Sequence, residues 1–346
     1  MTYSLKVSKP NNHGCWGPVA GGRAAGAVGA LGVAALLSLA YGSKSIPLST
    51  VIDAFRHFDG SNDQLVVRDL RAPRTAVGIG VGAALGLSGA VMQGVTRNPL
   101  ADPGILGIEA GAGLGVVLGI HVFGITGLTG YVWFAFAGAG LASLVVYLLG
   151  SMGAGGASPV KLALAGAALT ALLSSLTSAI LLTDVMALDR YRFWAVGSLS
   201  GRDDDVVVQV LPFLLLGAAL ALASARLLNT MALGDDVARS LGMRVPVART
   251  LAALSVVILC GAATAAAGPI GFVGLAVPHI ARAICGPDYR WILPWSLVLA
   301  PTLLLTADVV GRLVARPGEV QVGIVTALLG APVFIALVRR GRLAAL

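Results

Sequence analysis

The chain has 346 residues, of which 57% are hydrophobic and 12% charged, and its formal net charge is +8. Soluble domains carry about 25% charged and about 45–50% apolar residues. The composition therefore excludes an ordinary soluble enzyme, a nucleic-acid-binding protein, a disordered chain and a disulfide scaffold. It is typical of an integral membrane protein surrounded by lipid, in which the positive charge reflects basic cytoplasmic loops rather than a nucleic-acid partner.

A transmembrane helix needs about 20 predominantly apolar residues. Apolar runs of about this length are bounded by charges, prolines and glycines. In chain order they are 24–42, 72–94, 104–123, 129–149, 160–182, 206–225, 248–267, 271–285, 292–311 and 321–338. They predict an all-α bundle of ten transmembrane helices. The first run could instead be a cleaved signal peptide, but its length and the nine runs after it favour an uncleaved helix.

An even number of spans places both termini on the same side of the membrane. With the termini in the cytoplasm, the larger share of the 24 Lys and Arg residues falls in the inner tails and loops. The positive-inside rule therefore predicts cytoplasmic termini. The expected organisation is a tail at 1–23, a ten-helix domain at 24–340 with a cytoplasmic loop at about 226–248, and a second tail at 341–346.

The 46 glycines are about twice the usual share. Some of them recur every four residues, and these stripes are Gly78, Gly82, Gly86 and Gly107, Gly111, Gly115, Gly119. Such stripes let helix backbones approach closely inside a bilayer. Static close packing is the favoured interpretation, and a surface that slides during transport is the alternative.

Polar segments rich in proline and glycine interrupt the apolar pattern in three places. They are the pair 71–74 and 98–104, the segment 267–282 and the segment 317–332. In the first, the prolines break the helix, and Asn98 and Asp102 can cap the freed backbone groups. Irregular backbone at membrane depth is tolerated only where it is buried in protein or lines a water-filled cavity.

These three segments resemble the signatures of permease subunits of ABC importers for ferric siderophores, haem and vitamin B12. The resemblance extends from about residue 40 to residue 340. The segment 192–199, Arg-Phe-Trp-Ala-Val-Gly-Ser-Leu, is similar to the ferric-enterobactin type. Three long motifs in the same order on the same topology make the resemblance specific.

The resemblance implies a multi-pass protein of the bacterial inner membrane, with the fold of a type II ABC importer. Its implied partners are a second permease subunit, two ATPase subunits on the inside and a siderophore-binding protein on the outside. The likeness to the enterobactin type favours a paralogous permease over a second copy of this chain. A ferric siderophore is the expected cargo, with haem and cobalamin as alternatives.

The residues themselves indicate no catalytic, cofactor or metal site. The chain has no G-x-x-x-x-G-K-[ST] phosphate loop, so ATP and Mg²⁺ are expected on the partner ATPase. The three cysteines and four histidines share no ligand spacing. An ion-coupled secondary transporter would also fit ten spans with broken helices, but it predicts several buried carboxylates. No group of His, Asp and Glu residues in the sequence supports a membrane-embedded enzyme.

In the family, a cytoplasmic loop presents a short helix to the ATPase, and the matching stretch is 233–246. The candidate coupling residues are Gly234, Ala238, Arg239, Leu241 and Gly242. The glycines bracket one to two helical turns, and Ala238 and Leu241 would form a small apolar face. The alternative is an ordinary amphipathic connector.

Basic residues on the outer face of this family receive acidic side chains of the binding protein. The matching positions are Arg71, Arg74 and Arg312. The planar guanidinium group of arginine suits this role because it binds carboxylates bidentately. These side chains could instead snorkel or pair internally, and Asp308 lies four residues before Arg312 on the same predicted helix.

The family's inner gate lies at the Asn-Pro-Leu turn, which corresponds to Asn98 and Leu100 here. Glu109 departs from the pattern, because related sequences usually carry a small or neutral polar residue there. An intramembrane carboxylate is a functional-site hypothesis by default. The alternative is that Glu109 reaches Arg97 or water near the end of its span.

Overall fold

The computed structural model describes residues 18–125, 127–152 and 158–339. All regular structure within these ranges is helical. The helices are α1 (Pro18–Ala40), α2 (Leu48–Arg56), α3 (Asn62–Leu65), α4 (Ala72–Thr96), α5 (Ile108–His121), α6 (Leu128–Ser151), α7 (Pro159–Thr183), α8 (Val185–Ala195), α9 (Asp204–Ala223), α10 (Ala225–Ala232), α11 (Asp235–Ser240), α12 (Val245–Ala267), α13 (Val273–Cys285), α14 (Tyr289–Val314) and α15 (Val322–Arg339). A π-helical turn (Val66–Arg71) precedes α4, and a 3₁₀ turn (Pro103–Leu106) precedes α5.

Each predicted apolar run contains most of one α-helix, and the all-α prediction is confirmed. These helices are α1, α4, α5, α6, α7, α9, α12, α13, α14 and α15. By length and composition, 7 helical segments of the described residues can cross a membrane, and α5, α13 and the first part of α15 are shorter. The count of ten spans and the cytoplasmic termini stay predictions. Helix α1 already begins at Pro18, inside the predicted tail, and the predicted tail 341–346 lies outside the described residues.

The second span is longer than its apolar run. Helix α3 and the π-helical turn continue directly into α4, which makes a helical segment of 35 residues. Pro73 lacks an N–H group, and its ring would clash with the carbonyl of residue 69 in a regular α-helix. This clash is a physical reason for the wider π turn at this point. Arg71 therefore lies within a continuous helical segment and not before the start of the helix.

The third predicted run, 104–123, is not a single helix. The 3₁₀ turn ends at Gly107, whose φ is 71°, and α5 begins at the next residue. The carboxylate of Asp102 accepts a hydrogen bond of 2.8 Å from the N–H group of Gly104 and caps the turn. Since a positive φ favours glycine, Gly107 marks a helix boundary rather than the first member of a packing stripe.

The other striped glycines lie at helix contacts, as the packing interpretation predicts. On α4, a Cβ atom added to Gly82 would lie 2.6 Å from the Cα of Pro301 in α14. A Cβ added to Gly86 would lie 2.7 Å from the carbonyl oxygen of Ser296, also in α14. Gly111 of α5 packs in the same way against α6. The backbones therefore touch where only glycine fits.

Burial differs strongly between the long helices. In the apolar window of the segment that contains α4, 78% of the residues are buried, against 67% for α12 and 11% for α7. Helix α4 is thus central, and it contacts α9, α12, α13 and α14. Helix α7 lies at the periphery of the chain and leaves most of its surface without a partner from the described residues.

Candidate functional site

The candidate residues lie at opposite ends of α4. This helix has 25 residues, so at 1.5 Å per residue it is about 37 Å long and exceeds the hydrocarbon core of about 30 Å. Arg74 lies in its first turn, and Arg97 follows its last residue. We call these two regions the Arg74 end and the Arg97 end. If α4 crosses the membrane, as its length and composition allow, its two ends lie on opposite faces of the membrane.

The Arg74 end is built around a buried carboxylate, that of Asp308 in α14. Arg74 donates to it through Nη2 at 2.7 Å and Nε at 3.1 Å. Arg312 binds the same carboxylate, with 2.8 Å between its Nη2 atom and Oδ2, the oxygen that also accepts from Nε of Arg74. Arg74 also binds Glu319, with 2.7 Å between Nη1 and Oε2. The two arginines therefore share one counter-ion that has no contact with solvent.

Backbone carbonyl groups accept many of the other hydrogen bonds that the arginines at this end donate. Arg71 donates to the carbonyl oxygens of Leu39, Ala40 and Lys44. Arg312 donates to the carbonyl of Ser38 at 3.0 Å and to its hydroxyl at 2.9 Å. The structure thus brings the three predicted docking arginines together, but their donors bind internal partners. The internal pair between Arg312 and Asp308 is confirmed.

A cavity of about 660 Å³ opens between these side chains at the Arg74 end. It is also lined by Ser200, Arg202 and Glu319, which the sequence analysis did not single out. The hydroxyl of Ser200 donates to Glu319 at 2.6 Å. Burial raises the pKa of Glu319, but the bonds from Ser200 and Arg74 outweigh burial and hold this pKa below its usual value. Glu319 lies in the polar segment 317–332, whereas no pattern in the sequence distinguishes Arg202.

The Arg97 end is held by a second shared carboxylate, that of Asp235 at the start of α11. Arg97 binds it with 2.7 Å between Nη2 and Oδ1, and Arg249 of α12 binds it with 3.2 Å between Nη2 and Oδ2. Arg97 adopts the left-handed conformation, with a φ of 51°. Asp235 therefore joins the end of α4, the short helix α11 and the start of α12.

The predicted gate turn follows directly after Arg97. The side chain of Asn98 is exposed, and its Oδ1 atom accepts a hydrogen bond of 2.9 Å from the N–H group of Leu100. The expected capping role of Asn98 is confirmed. The role of Asn98 and Leu100 in gating stays a prediction.

Helix α11 has the predicted boundaries. Gly234 and Gly242 bracket it with φ values of 103° and 81°. Both values lie in the region that glycine adopts without strain. Arg239 pairs with Asp236 at 3.3 Å on the exposed surface of the helix.

The prediction that Ala238 and Leu241 form an apolar face of α11 is wrong, because only Leu241 is exposed. Ala238 has no exposed surface, because it packs toward the bundle, whereas Leu241 is 65% exposed. The two side chains therefore do not form one exposed face. The exposed apolar side chains around α11 are those of Leu233, Val237 and Leu241.

Glu109 lies in the first turn of α5, close to Asp102. A Cβ atom added to Gly104 would lie 3.0 Å from Oδ1 of Asp102 and 3.7 Å from Cδ of Glu109. The suggested pairing of Glu109 with Arg97 is wrong, since Arg97 binds Asp235. Within the described ranges, no group of three or more His, Cys, Asp and Glu residues could hold a metal ion.

The bundle of apolar helices with charged ends is the structure of a multi-pass membrane protein. The FecCD transport family matches residues 30–340, and the chain belongs to this family. It is 49% identical over 308 residues to the ferric enterobactin transport system permease protein FepD of Escherichia coli K12. That match covers 89% of this chain and 92% of FepD.

Two further matches support the same assignment. The siderophore transport system permease protein YfiZ of Bacillus subtilis 168 is 42% identical, with 88% of this chain and 91% of YfiZ covered. A solved structure of a metal-chelate type ABC transporter in an inward-facing conformation matches with a TM-score of 0.82 and 29% identity. The match covers 92% of this chain and 99% of the chain in that structure. The chain is therefore a permease subunit of an ABC transporter.

Proposed function

We propose that the chain forms half of a pathway that moves a ferric siderophore into the cytoplasm. The family match over residues 30–340 carries this proposal, and the 49% identity to a ferric enterobactin permease points to the cargo. Haem and cobalamin are the alternative cargoes. The hemin permease HmuU of Yersinia pestis is 38% identical and the cobalamin permease BtuC of Halobacterium salinarum 39% identical.

The surface of α7 supports a second permease subunit as partner. Small and hydroxylated residues recur along one exposed side of this helix: Ala167, Ala171, Ser174, Ser175 and Ser178. Such residues suit a helix contact or an aqueous path better than a lipid-facing surface. We place the pathway on this side, with a paralogous subunit rather than a second copy opposite it.

The Arg97 end is the proposed contact with two ATPase subunits. Leu233, Val237 and Leu241 are exposed apolar side chains in and beside α11, and they can pack into a groove of an ATPase. ATP and Mg²⁺ would bind to those subunits, because this chain carries no phosphate loop. The chain itself would bind no cofactor and catalyse no reaction.

The Arg74 end is the proposed docking site for the extracytoplasmic binding protein. Arg71, Arg74 and Arg312 give this end its basic character, and the cavity between them can admit a side chain of a partner. Both chain termini would then lie in the cytoplasm. Asn98, Leu100 and Glu109 would lie along the path or at its inner gate.

Purification of the tagged chain from its native membrane tests this assignment. A protein with a Walker-A motif and a second permease should co-purify, and the assembly should bind its binding protein loaded with a ferric siderophore. Binding proteins loaded with haem and with cobalamin are the matched competitors. A purified assembly that contains no ATPase would contradict the proposal. Preference for a haem- or cobalamin-loaded binding protein would identify haem or cobalamin as the cargo instead.

A further inference from the structure

A second cavity lies at the Arg97 end, between α9, α10 and the start of α14. It has a volume of about 440 Å³, and two exposed arginines, Arg226 and Arg290, line it. A Cβ atom added to Gly94, in the last turn of α4, would lie 3.0 Å from the side chains of Leu228 in α10 and Tyr289 in α14. The cavity therefore belongs to the same end of the bundle as α11.

The two arginines bring positive charge into this cavity without an internal counter-ion. Neither side chain forms an ion pair with a residue in the described ranges. Asp288 is the acidic residue closest to Arg290 in the sequence, and its Oδ1 atom is occupied by the amide of Asn229 at 2.6 Å and by the N–H group of Arg290 at 2.9 Å. Two like charges that line one cavity repel each other, and an anion between them removes this repulsion.

The rest of the cavity wall is apolar and continues into the surface of α9. Leu222 and Pro294 are exposed, and Leu293 is fully buried behind them. Along α9, Leu211, Leu215 and Leu222 recur at helical spacing, and they are 45%, 62% and 39% exposed. Because α9 is long and apolar enough to cross a membrane, an apolar stripe leads from the two arginines into the hydrocarbon core.

Two tryptophans indicate the depth of the cavity in the bilayer. Trp291 and Trp295 lie in the first two turns of α14, and both side chains are partly exposed. Tryptophan is enriched where the hydrocarbon core meets the lipid headgroups. Arg290 precedes Trp291 directly, so the two arginines of the cavity lie at the depth of the headgroups.

We propose that this cavity binds an anionic phospholipid, with its phosphate between Arg226 and Arg290 and one acyl chain along the exposed side of α9. A phospholipid satisfies both parts of the site, whereas free phosphate or an acidic side chain of another protein would leave the apolar stripe uncovered. Basic pockets between membrane helices bind such headgroups. The bound lipid would join α14 to α10, the helix that leads into α11. The inference does not depend on the cargo.

The test titrates the assembly purified from its native membrane with phosphatidylglycerol and counts bound lipid by native mass spectrometry. Arg226→Gln and Arg290→Gln should each raise the dissociation constant at least about threefold, and the double variant at least about tenfold, because charges that face the phosphate are lost. Phosphatidylcholine with the same acyl chains should bind to the wild type at least about tenfold more weakly. An unchanged dissociation constant in the double variant, or equal binding of both lipids by the wild type, would overturn the inference.

Arg23→Gln is the matched control for unspecific attraction to anionic lipid. Arg23 is exposed on α1, and the opposite end of α1 binds Arg71, so Arg23 also lies at the Arg97 end. This variant should change the dissociation constant less than about twofold. An increase as large as that of Arg226→Gln would overturn the inference, because the attraction would then follow net charge and not the cavity.

The melting temperature separates lipid binding from a structural role of the arginines. Without added lipid, the double variant and the wild type should melt at the same temperature, since both side chains are exposed. Phosphatidylglycerol should raise the melting temperature of the wild type and leave that of the double variant unchanged. An equal increase in both proteins would overturn the inference.

Two further outcomes identify a different occupant. If inorganic phosphate alone stabilises the wild type as strongly as phosphatidylglycerol does, the site needs no acyl chain and the inference fails. If the double variant binds phosphatidylglycerol normally but loses the co-purifying ATPase, the arginines contact a protein and the inference fails. A wild-type assembly that binds phosphatidylglycerol at this site but contains no ATPase would contradict the proposed function and leave the lipid site supported.

Discussion

Both ends of α4 use an aspartate that bridges two arginines, but the two clusters differ in their access to water. At the Arg74 end, the side chains of Arg74 and Asp308 are 12% and 0% exposed. At the Arg97 end, those of Arg97 and Asp235 are 33% and 27% exposed. Water screens the bond between Arg97 and Asp235, whereas Arg249, the second partner of Asp235, is only 14% exposed. The first cluster is part of the folded core. The second cluster is suited to a place where α4, α11 and α12 move relative to one another.

The largest effect is expected at the Arg74 end. Asp308→Asn leaves Arg74 and Arg312 without their shared buried counter-ion, and we expect a loss of about 3–5 kcal/mol of stability. The melting temperature of the purified chain in detergent measures it. Asp189→Asn, which removes the exposed partner of Arg192, is the control. Similar melting temperatures for the two variants would show that the Asp308 cluster is not structural.

A smaller effect on stability is expected on the inward side of α11. Ala238→Leu places a larger side chain where no surface is exposed, and overpacking of this kind costs about 1–3 kcal/mol. Leu241→Ser lies on the exposed side and should leave the melting temperature unchanged while it reduces ATPase co-purification. The two variants thus separate packing from docking. Full ATPase retention in Leu241→Ser would contradict the proposed contact surface.

At the Arg97 end, the expected change is in coupling rather than in stability. Asp235→Asn weakens two partly exposed ion pairs, each worth about 0–1 kcal/mol. The ratio of cargo transported to ATP hydrolysed should fall while assembly is retained. Asp189→Asn is the control, because it breaks an exposed ion pair with Arg192 in α8 and not at the Arg97 end. An equal ratio in both variants would refute the role of Asp235 as a joint.

The smallest expected effect is a pH dependence at Glu319. Its pKa is lowered in the folded protein, so its contribution to stability is present above the ordinary glutamate pKa. It is lost as the pH falls through the lower folded-state value. Melting temperatures measured between neutral and acidic pH should show this loss in the wild type and less of it in Glu319→Gln. An identical pH dependence in both proteins would contradict the role of the Ser200 and Arg74 bonds.

The sequence predicts where helices lie better than it predicts which way they face. Each of the ten apolar runs contains a helix, because length and hydropathy are local properties of the sequence; seven helical segments are long enough to span a membrane. The cap formed by Asn98 is local as well, since its acceptor binds the N–H group of Leu100. A helix that is apolar on all sides carries no periodic signal that distinguishes its buried face from its lipid face.

Contacts distant in sequence explain the remaining differences. Arg74 finds Asp308, which lies 234 positions away in the sequence, and Arg97 finds Asp235, 138 positions away. No local pattern encodes such partners, and the suggested pair of Glu109 with Arg97 was wrong for this reason. The burial of Ala238 and of Arg202 likewise depends on how distant segments close around them.

We propose that the chain works within an ATP-driven importer, which receives ATP on one side of the membrane and the loaded binding protein on the other. Uptake of radioactive iron into proteoliposomes that contain the complete importer tests it most directly, with ATP enclosed inside and the loaded binding protein outside. We predict ATP-dependent accumulation of iron in the lumen that stops when either component is omitted. Accumulation driven by an ion gradient without ATP, or without the binding protein, would contradict the account.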